Sequence, residues 1–205
     1  MIAAGYLSSI VIGISLGLIG GGGSILTVPV LVYLFHMDTV MATVYSLFIV
    51  GISSSIGSVG YFKNKLVNTK MVVAFGLPSL VAVFVTRHFV VPLIPAIIFR
   101  TTNFAFTRSM LTMILFAVTM LAASYSMLKK NNTAVSDLHP QLLHYKSIII
   151  KALFIGVLTG MIGAGGGFVI IPALLYAGSL QMKEAIGTSL VIIALNSLTG
   201  FLTSA

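Results

Sequence analysis

The chain of 205 residues contains no cysteine and only three acidic residues, Asp38, Asp137 and Glu184. Without cysteine it can build neither a disulfide framework nor a thiolate metal site, and the redox compartment leaves no trace in the sequence. The acidic residues fall at the ends of apolar runs or in the single hydrophilic linker, so no carboxylate proton relay is expected at the centre of a membrane. Enzymatic signatures are missing as well: there is no H-E-x-x-H, no G-x-S-x-G and no buried acid–base pair. The four histidines, His36, His88, His139 and His144, show no metal-ligand spacing except for His139 with His144, which lie in the most polar segment and are read as solvated. No metal and no cofactor is expected. The N-terminus has no basic leader region and its apolar stretch runs to Tyr33 without an A-x-A site, so a cleaved signal peptide is not expected either.

What is present is apolar. Hydrophobic residues make up 58% of the chain and charged residues 7%, with a mean hydropathy of +1.14. A soluble domain of this length could not hide that surface, which makes this an integral membrane protein whose first partner is the lipid bilayer. The net charge of +8 does not indicate a nucleic-acid partner. Lys63, Lys65, Lys70, Lys129, Lys130, Lys146 and Lys151 lie between apolar runs, in no basic stripe with interleaved aromatics, and membrane topology explains them better. Homo-oligomerisation stays open at this point.

The chain also contains itself twice. Residues 13–62 laid on 156–205 match at Gly13, Gly17, Ile19, Gly20, Gly22, Gly23, Pro29, Leu31, Tyr33, Ala42, Ser46, Leu47, Ile49, Ser54 and Gly57 without a gap. In each copy an apolar segment is broken by glycines and followed by a proline. Such a break is tolerated in a bilayer only where protein or a watery cavity satisfies the freed backbone groups, and many transporters build a substrate site in this way.

The reading along the chain is an all-α polytopic membrane protein of two homologous repeats, each of about four spans and each starting with a glycine-broken helix. Residues 2–35 as one helix would extend about 50 Å, well beyond the roughly 30 Å hydrocarbon core, so Gly20–Gly23 divides a span at 3–19 from a helical piece at 25–35 with Pro29 in its first turns. Further spans are expected at 40–62, 70–87 and 109–128, with Phe89–Arg108 as an interfacial connector because of Pro92, Pro95, Arg100 and Asn103. Repeat 1 thus covers 1–128, a hydrophilic linker 129–147, and repeat 2 residues 148–205. Repeat 2 has a span at 148–162, a break at 163–167, a helical piece to 177 and a last span from Glu184. Repeat 2 is shorter by about two spans, and the expectation is a truncated chain. Counting each broken segment as one crossing puts seven lysines on one side and Arg87, Arg100, Arg108 and Lys183 on the other, which favours a cytoplasmic N-terminus.

The breaks carry the expected chemistry. Gly20, Gly21, Gly22, Gly23 and Ser24, and Gly163, Gly165, Gly166 and Gly167, would expose backbone N–H groups at the start of short helices, where the helix dipole adds positive charge. An anion site follows without any basic side chain. Gly13/Gly17 and Gly156/Gly160 are read instead as close helix packing. A nucleotide loop is excluded, since neither cluster ends in Gly-Lys-Ser/Thr or spells G-x-G-x-x-G. Small polar residues of the second span in each repeat are candidates to complete a substrate's hydrogen bonds: Ser46, Thr188, Ser189 and, as the costliest to leave unpaired, Asn196. Bonding within the helices is the competing role for them. Arg87 is read as a cation snorkelling to the interface, with attraction of an anion at a mouth as its alternative.

The two motifs Gly17-Leu-Ile-Gly-Gly-Gly-Gly-Ser-Ile-Leu-Thr-Val-Pro-Val-Leu and Gly160-Met-Ile-Gly-Ala-Gly-Gly-Gly-Phe-Val-Ile-Ile-Pro-Ala-Leu, the second followed by Ala185-Ile-Gly-Thr-Ser-Leu, resemble the sulfite exporter TauE/SafE family, also called the toluene-sulfonate uptake permease family. The resemblance covers essentially the whole chain and departs from the pattern at Ala164. It implies a multi-pass inner-membrane carrier for sulfite, sulfonates, sulfoacetate or related anions. A secondary carrier of small anions is therefore the leading expectation, and an anion channel or a non-transporting membrane scaffold are its rivals.

Overall fold

The computed structural model describes residues 24–95, 97–101, 104–129, 145–163, 165–177 and 180–204. The span expected at 3–19, the first glycine break at Gly20–Gly23 and most of the 129–147 linker lie outside the described residues. Apart from one short hairpin, the described chain is helical: α1 Ser24–Tyr33, α2 Thr39–Lys63, α3 Thr69–Leu93, β1 Ile97–Thr101, β2 Phe104–Thr107, α4 Arg108–Lys129, α5 Tyr145–Ile162, α6 Gly167–Ala177 and α7 Met182–Leu202. Among them α2, α3, α7 and the stretch Arg108–Tyr125 of α4 are long and apolar enough to cross a membrane. At 1.5 Å per residue, α2 and α3 each reach about 37 Å.

On α2 the small and polar residues turn inward and the large apolar ones outward. On α2 the buried face carries Ala42, Thr43, Ser46, Leu47, Val50, Gly51, Ser54 and Ser58, whereas Tyr45, Phe48, Ile49, Ile52, Ile56 and Val59 are exposed. A protein in water would reverse that pattern. With lipid as the solvent, exposing isoleucine costs nothing, and small residues go inward because they let backbones approach. Helix α7 is the central element, with 61% of its apolar window buried. It runs antiparallel along α2, where Gly51 sits against Leu198, Gly57 against Leu190 and Gly200 against Leu47. Helix α5 packs on α3 by the same device. A Cβ at Gly156 would lie 2.5 Å from the Ser79 carbonyl oxygen, and one at Gly160 would lie 2.9 Å from Thr86 Cβ.

The structure corrects the expected end of α3. The sequence reading stops it at Arg87-His88 and makes 89–108 a connector, but the helix continues to Leu93. It does so through two π-helical turns, Val72–Gly76 and Thr86–Val90, each ending two residues before a proline, Pro78 and Pro92. In an α-helix a proline ring strikes the carbonyl four residues back, here that of Ala74 or His88. The wider π turn makes room for it, so the proline no longer ends the helix. After Leu93 the chain forms the β1–β2 hairpin, paired from Ile97 with Thr107 to Thr101 with Phe104. Its β-branched and aromatic residues favour an extended backbone.

Candidate functional site

Helix α5 ends at Ile162 and α6 starts at Gly167, and between them Gly163, Gly165 and Gly166 have φ of +71°, +67° and +69°. A side chain there would be strained by its own backbone and would also collide with neighbours. A Cβ on Gly163 would run into Arg87 Nη2 and Thr43 Cβ. On Gly165 it would lie 2.5 Å from Ser197 Oγ and 2.9 Å from Val50 Cγ1, and on Gly166 it would strike Thr159. The break is thus a stretch of bare backbone pressed between α2, α3, α5 and α7.

Polar groups gather around it. Arg87 is 7% exposed; its Nη1 donates to Ser204 Oγ at 3.0 Å, and its Nε and Nη2 have no hydrogen-bond partner in the protein. Ser46, Ser54, Thr86 and Ser197 have buried hydroxyls in the same condition. Thr43, Ser46, Val50 and Ser54 follow each other at three- and four-residue spacing on α2, so the face that touches Gly163 and Gly165 also carries two of these hydroxyls. An unsatisfied buried hydroxyl costs about 1–3 kcal/mol and an unpaired buried charge costs more.

Beyond Arg87 lies a cleft with a cavity volume of about 30 Å³, lined by Thr39, Val40, Thr43, Arg87, Val91, Ile94, Arg108, Ser109, Thr112 and Met161. It sits at one end of the bundle, where α2 and α4 both begin. Arg108 Nη1 donates to the Val91 carbonyl at 3.3 Å, and Ser109 Oγ donates to Thr39 Oγ1, tying the two helix starts together.

The residues expected from sequence divide into groups. Gly20, Gly21, Gly22 and Gly23 lie outside the described residues, and Ser24 is the first residue of α1. Gly163, Gly165, Gly166, Gly167 and Ser46 come together around the second break. Asn196, Ser189 and Thr188 are engaged elsewhere. Asn196 Nδ2 donates to Ser79 Oγ at 3.0 Å, linking α7 to α3, and Ser79 Oγ donates to the Gly76 carbonyl at 2.9 Å. Ser189 donates to its own helix at Ile186. Thr188 Oγ1 accepts from the Asn68 backbone N–H at 3.0 Å, near Gly187, which packs on Leu66 and Tyr61. Thr43 and Tyr61 are some 27 Å apart along α2, so Thr188 belongs to the other end of the bundle. Arg87 is the residue that sequence reasoning misplaced. Taken as the end of a span it snorkels, but the helix runs six residues further and the guanidinium is buried. Pro92, read as a stop, hid this.

The sequence profile of the family described as "Sulfite exporter TauE/SafE" matches residues 6–205. The chain is 30% identical over 199 residues to a probable membrane transporter protein of Methanocaldococcus jannaschii, an alignment that covers 94% of this chain and 68% of that protein. It is 26% identical to a probable membrane transporter protein of Xylella fastidiosa, covering 89% of this chain and 66% of the relative, and 26% identical to one of Bacillus subtilis, covering 89% and 70%. No solved structure matches. The profile match over nearly all of its length and its several apolar helices together show that this multi-pass membrane protein belongs to the sulfite exporter TauE/SafE family of membrane transporters.

Proposed function

We propose that the protein is part or all of a secondary carrier for small, sulfur-containing anions of the sulfite, sulfonate or sulfoacetate type, which moves them by alternate rocking of two repeat halves around the paired glycine breaks. The observation that carries this reading is Arg87, a buried guanidinium with two uncommitted nitrogens, Nε and Nη2, set against a helix break whose glycines leave bare backbone beside it. An anion is the guest that such a charge requires, because no carboxylate of the chain pairs with it among the described residues. The repeat reading gains support from element positions. Helices α1 and α6 begin at Ser24 and Gly167, α2 and α7 at Thr39 and Met182, and both pairs are separated by the same offset as the sequence repeat. Pro29 and Pro172 are each the sixth residue of their helix.

The chain spans about two thirds of the length of the relatives it matches, so activity is tested on the protein reconstituted in proteoliposomes. Uptake of radiolabelled sulfite, sulfoacetate and taurine is compared between wild type and a Gly22→Leu/Gly165→Leu double variant. Saturable uptake with counterflow that falls at least about tenfold in the variant is expected, since Leu at Gly165 meets both a forbidden φ and Ser197. Equal flux in the two preparations overturns the role of the breaks, and uptake without saturation or counterflow identifies a channel.

A further inference from the structure

We infer that Arg87 and Arg108 together form a binding station for a small, doubly charged oxyanion in the cleft at the α2/α4 end of the bundle, which deepens the carrier reading and rests on it. Among the described residues, two guanidiniums line this cleft and no carboxylate does. The nearest acid in sequence, Asp38, has its carboxylate engaged at the start of α2, where it accepts from the Val40 N–H at 3.1 Å. Arg87 contributes Nε and Nη2, both buried and without a partner. Arg108 gives one N–H to the Val91 carbonyl, which fixes its plane and leaves most of its five donors for a guest.

The hydroxyls sharpen the assignment. Thr43 Oγ1 donates to the Val40 carbonyl at 2.7 Å and Thr112 Oγ1 to that of Ser109 at 2.8 Å, so neither has a proton to offer. Ser109 donates to Thr39, which leaves the Thr39 hydroxyl free to donate in turn. Donors therefore come from both guanidiniums and one hydroxyl, and the starts of α2 and α4 add their dipoles with the same sign. Two fixed positive charges are matched by two negative charges, while a monoanion leaves one uncompensated. The cavity volume of about 30 Å³, against the roughly 10–15 Å³ that one water needs, suits a charged head of a few heavy atoms.

The test is equilibrium binding to the purified chain in detergent micelles, by calorimetric titration at constant ionic strength, with sulfate as the doubly charged probe and methanesulfonate as the singly charged one. Wild type is expected to prefer sulfate by at least about tenfold. Arg108→Gln should lose at least about tenfold in sulfate affinity and less than about threefold for methanesulfonate, as loss of a charged hydrogen-bonding partner implies. Arg108→Lys keeps the charge and should recover most of the sulfate preference, which separates recognition from folding. Lys183→Gln should alter neither, because Lys183, expected from the sequence on the side of the arginines, lies at the start of α7 beside the α2–α3 connection and far from the cleft. Equal affinity for the two probes in wild type, or sulfate binding unchanged in Arg108→Gln, overturns the station. Flux that persists after sulfate binding is lost overturns the station and leaves the carrier intact; intact sulfate preference without flux overturns the carrier and leaves the binding assignment.

Discussion

Gly166 holds a φ of +69°, and a Cβ added there would collide with Thr159, whose hydroxyl is already committed to the Ile155 carbonyl. Gly166→Ala is therefore expected to destabilise the protein by roughly 1–3 kcal/mol, from backbone strain and displacement of Thr159. Gly60→Ala is the control. Gly60 is helical with nothing within 4 Å of an added Cβ, and this change should be neutral or stabilising by up to about 1 kcal/mol. Thermal unfolding in detergent checks both, and equal midpoints for the two variants would contradict the geometry of the break. At this scale the glycines of the second break were legible because five small residues before a proline remove helical preference in a way few other patterns do. Arg87 was legible as a cation at a span end, snorkelling or attracting an anion at a mouth, but not as a buried group. Its burial depends on where α3 ends, and no residue next to Arg87 records that. Asn196 was legible as a costly polar group, but its partner Ser79 lies in a different helix, and nothing local points to it.

Between helices, the bond from Asn196 on α7 to Ser79 on α3 is the best-defined polar link in the bundle interior. Interhelical hydrogen bonds in membranes contribute about 0.6 kcal/mol on average and up to about 1.7 kcal/mol. A double-mutant cycle of Asn196→Ala and Ser79→Ala should show coupling of about 1 kcal/mol in unfolding free energy. Additive effects of the two changes would mean that the bond contributes nothing to holding α7 on α3. Element existence was readable from apolar run length, and α2 at Thr39–Lys63 falls within a residue of the expected 40–62. The π turns of α3 were not readable, because Pro78 and Pro92 carry the same local signal whether a helix stops or widens. The hairpin at 97–107 left a signal of its own in Ile97-Ile98-Phe99-Arg100-Thr101 and Phe104-Ala105-Phe106-Thr107, two β-prone runs separated by two residues, which prolines on one side and Arg108 on the other disguised as a connector.

For the whole molecule, charge and architecture predict an orientation. Lys63 and Lys65 follow α2 and Lys70 opens α3, so all three lie at the end of the bundle opposite the cleft of Arg87 and Arg108. The positive-inside rule predicts that the lysines face the cytoplasm and that the cleft opens to the other side. The absence of cysteine makes this directly measurable, because a single introduced thiol reports without background. In intact cells, Thr107→Cys is expected to react with a membrane-impermeant maleimide and Lys65→Cys only after lysis; the reverse pattern would turn the molecule over. The fold class and family were legible from composition and from two glycine-rich motifs, while the cleft was not, since Thr39, Arg87 and Arg108 are scattered over some seventy residues and meet only through tertiary packing.

Arg87 packs directly on the backbone of Gly163, where an added Cβ would collide with its Nη2. On the carrier reading proposed above, an anion that neutralises the guanidinium would also change the force on the broken segment, so recognition and movement would be two readings of a single event.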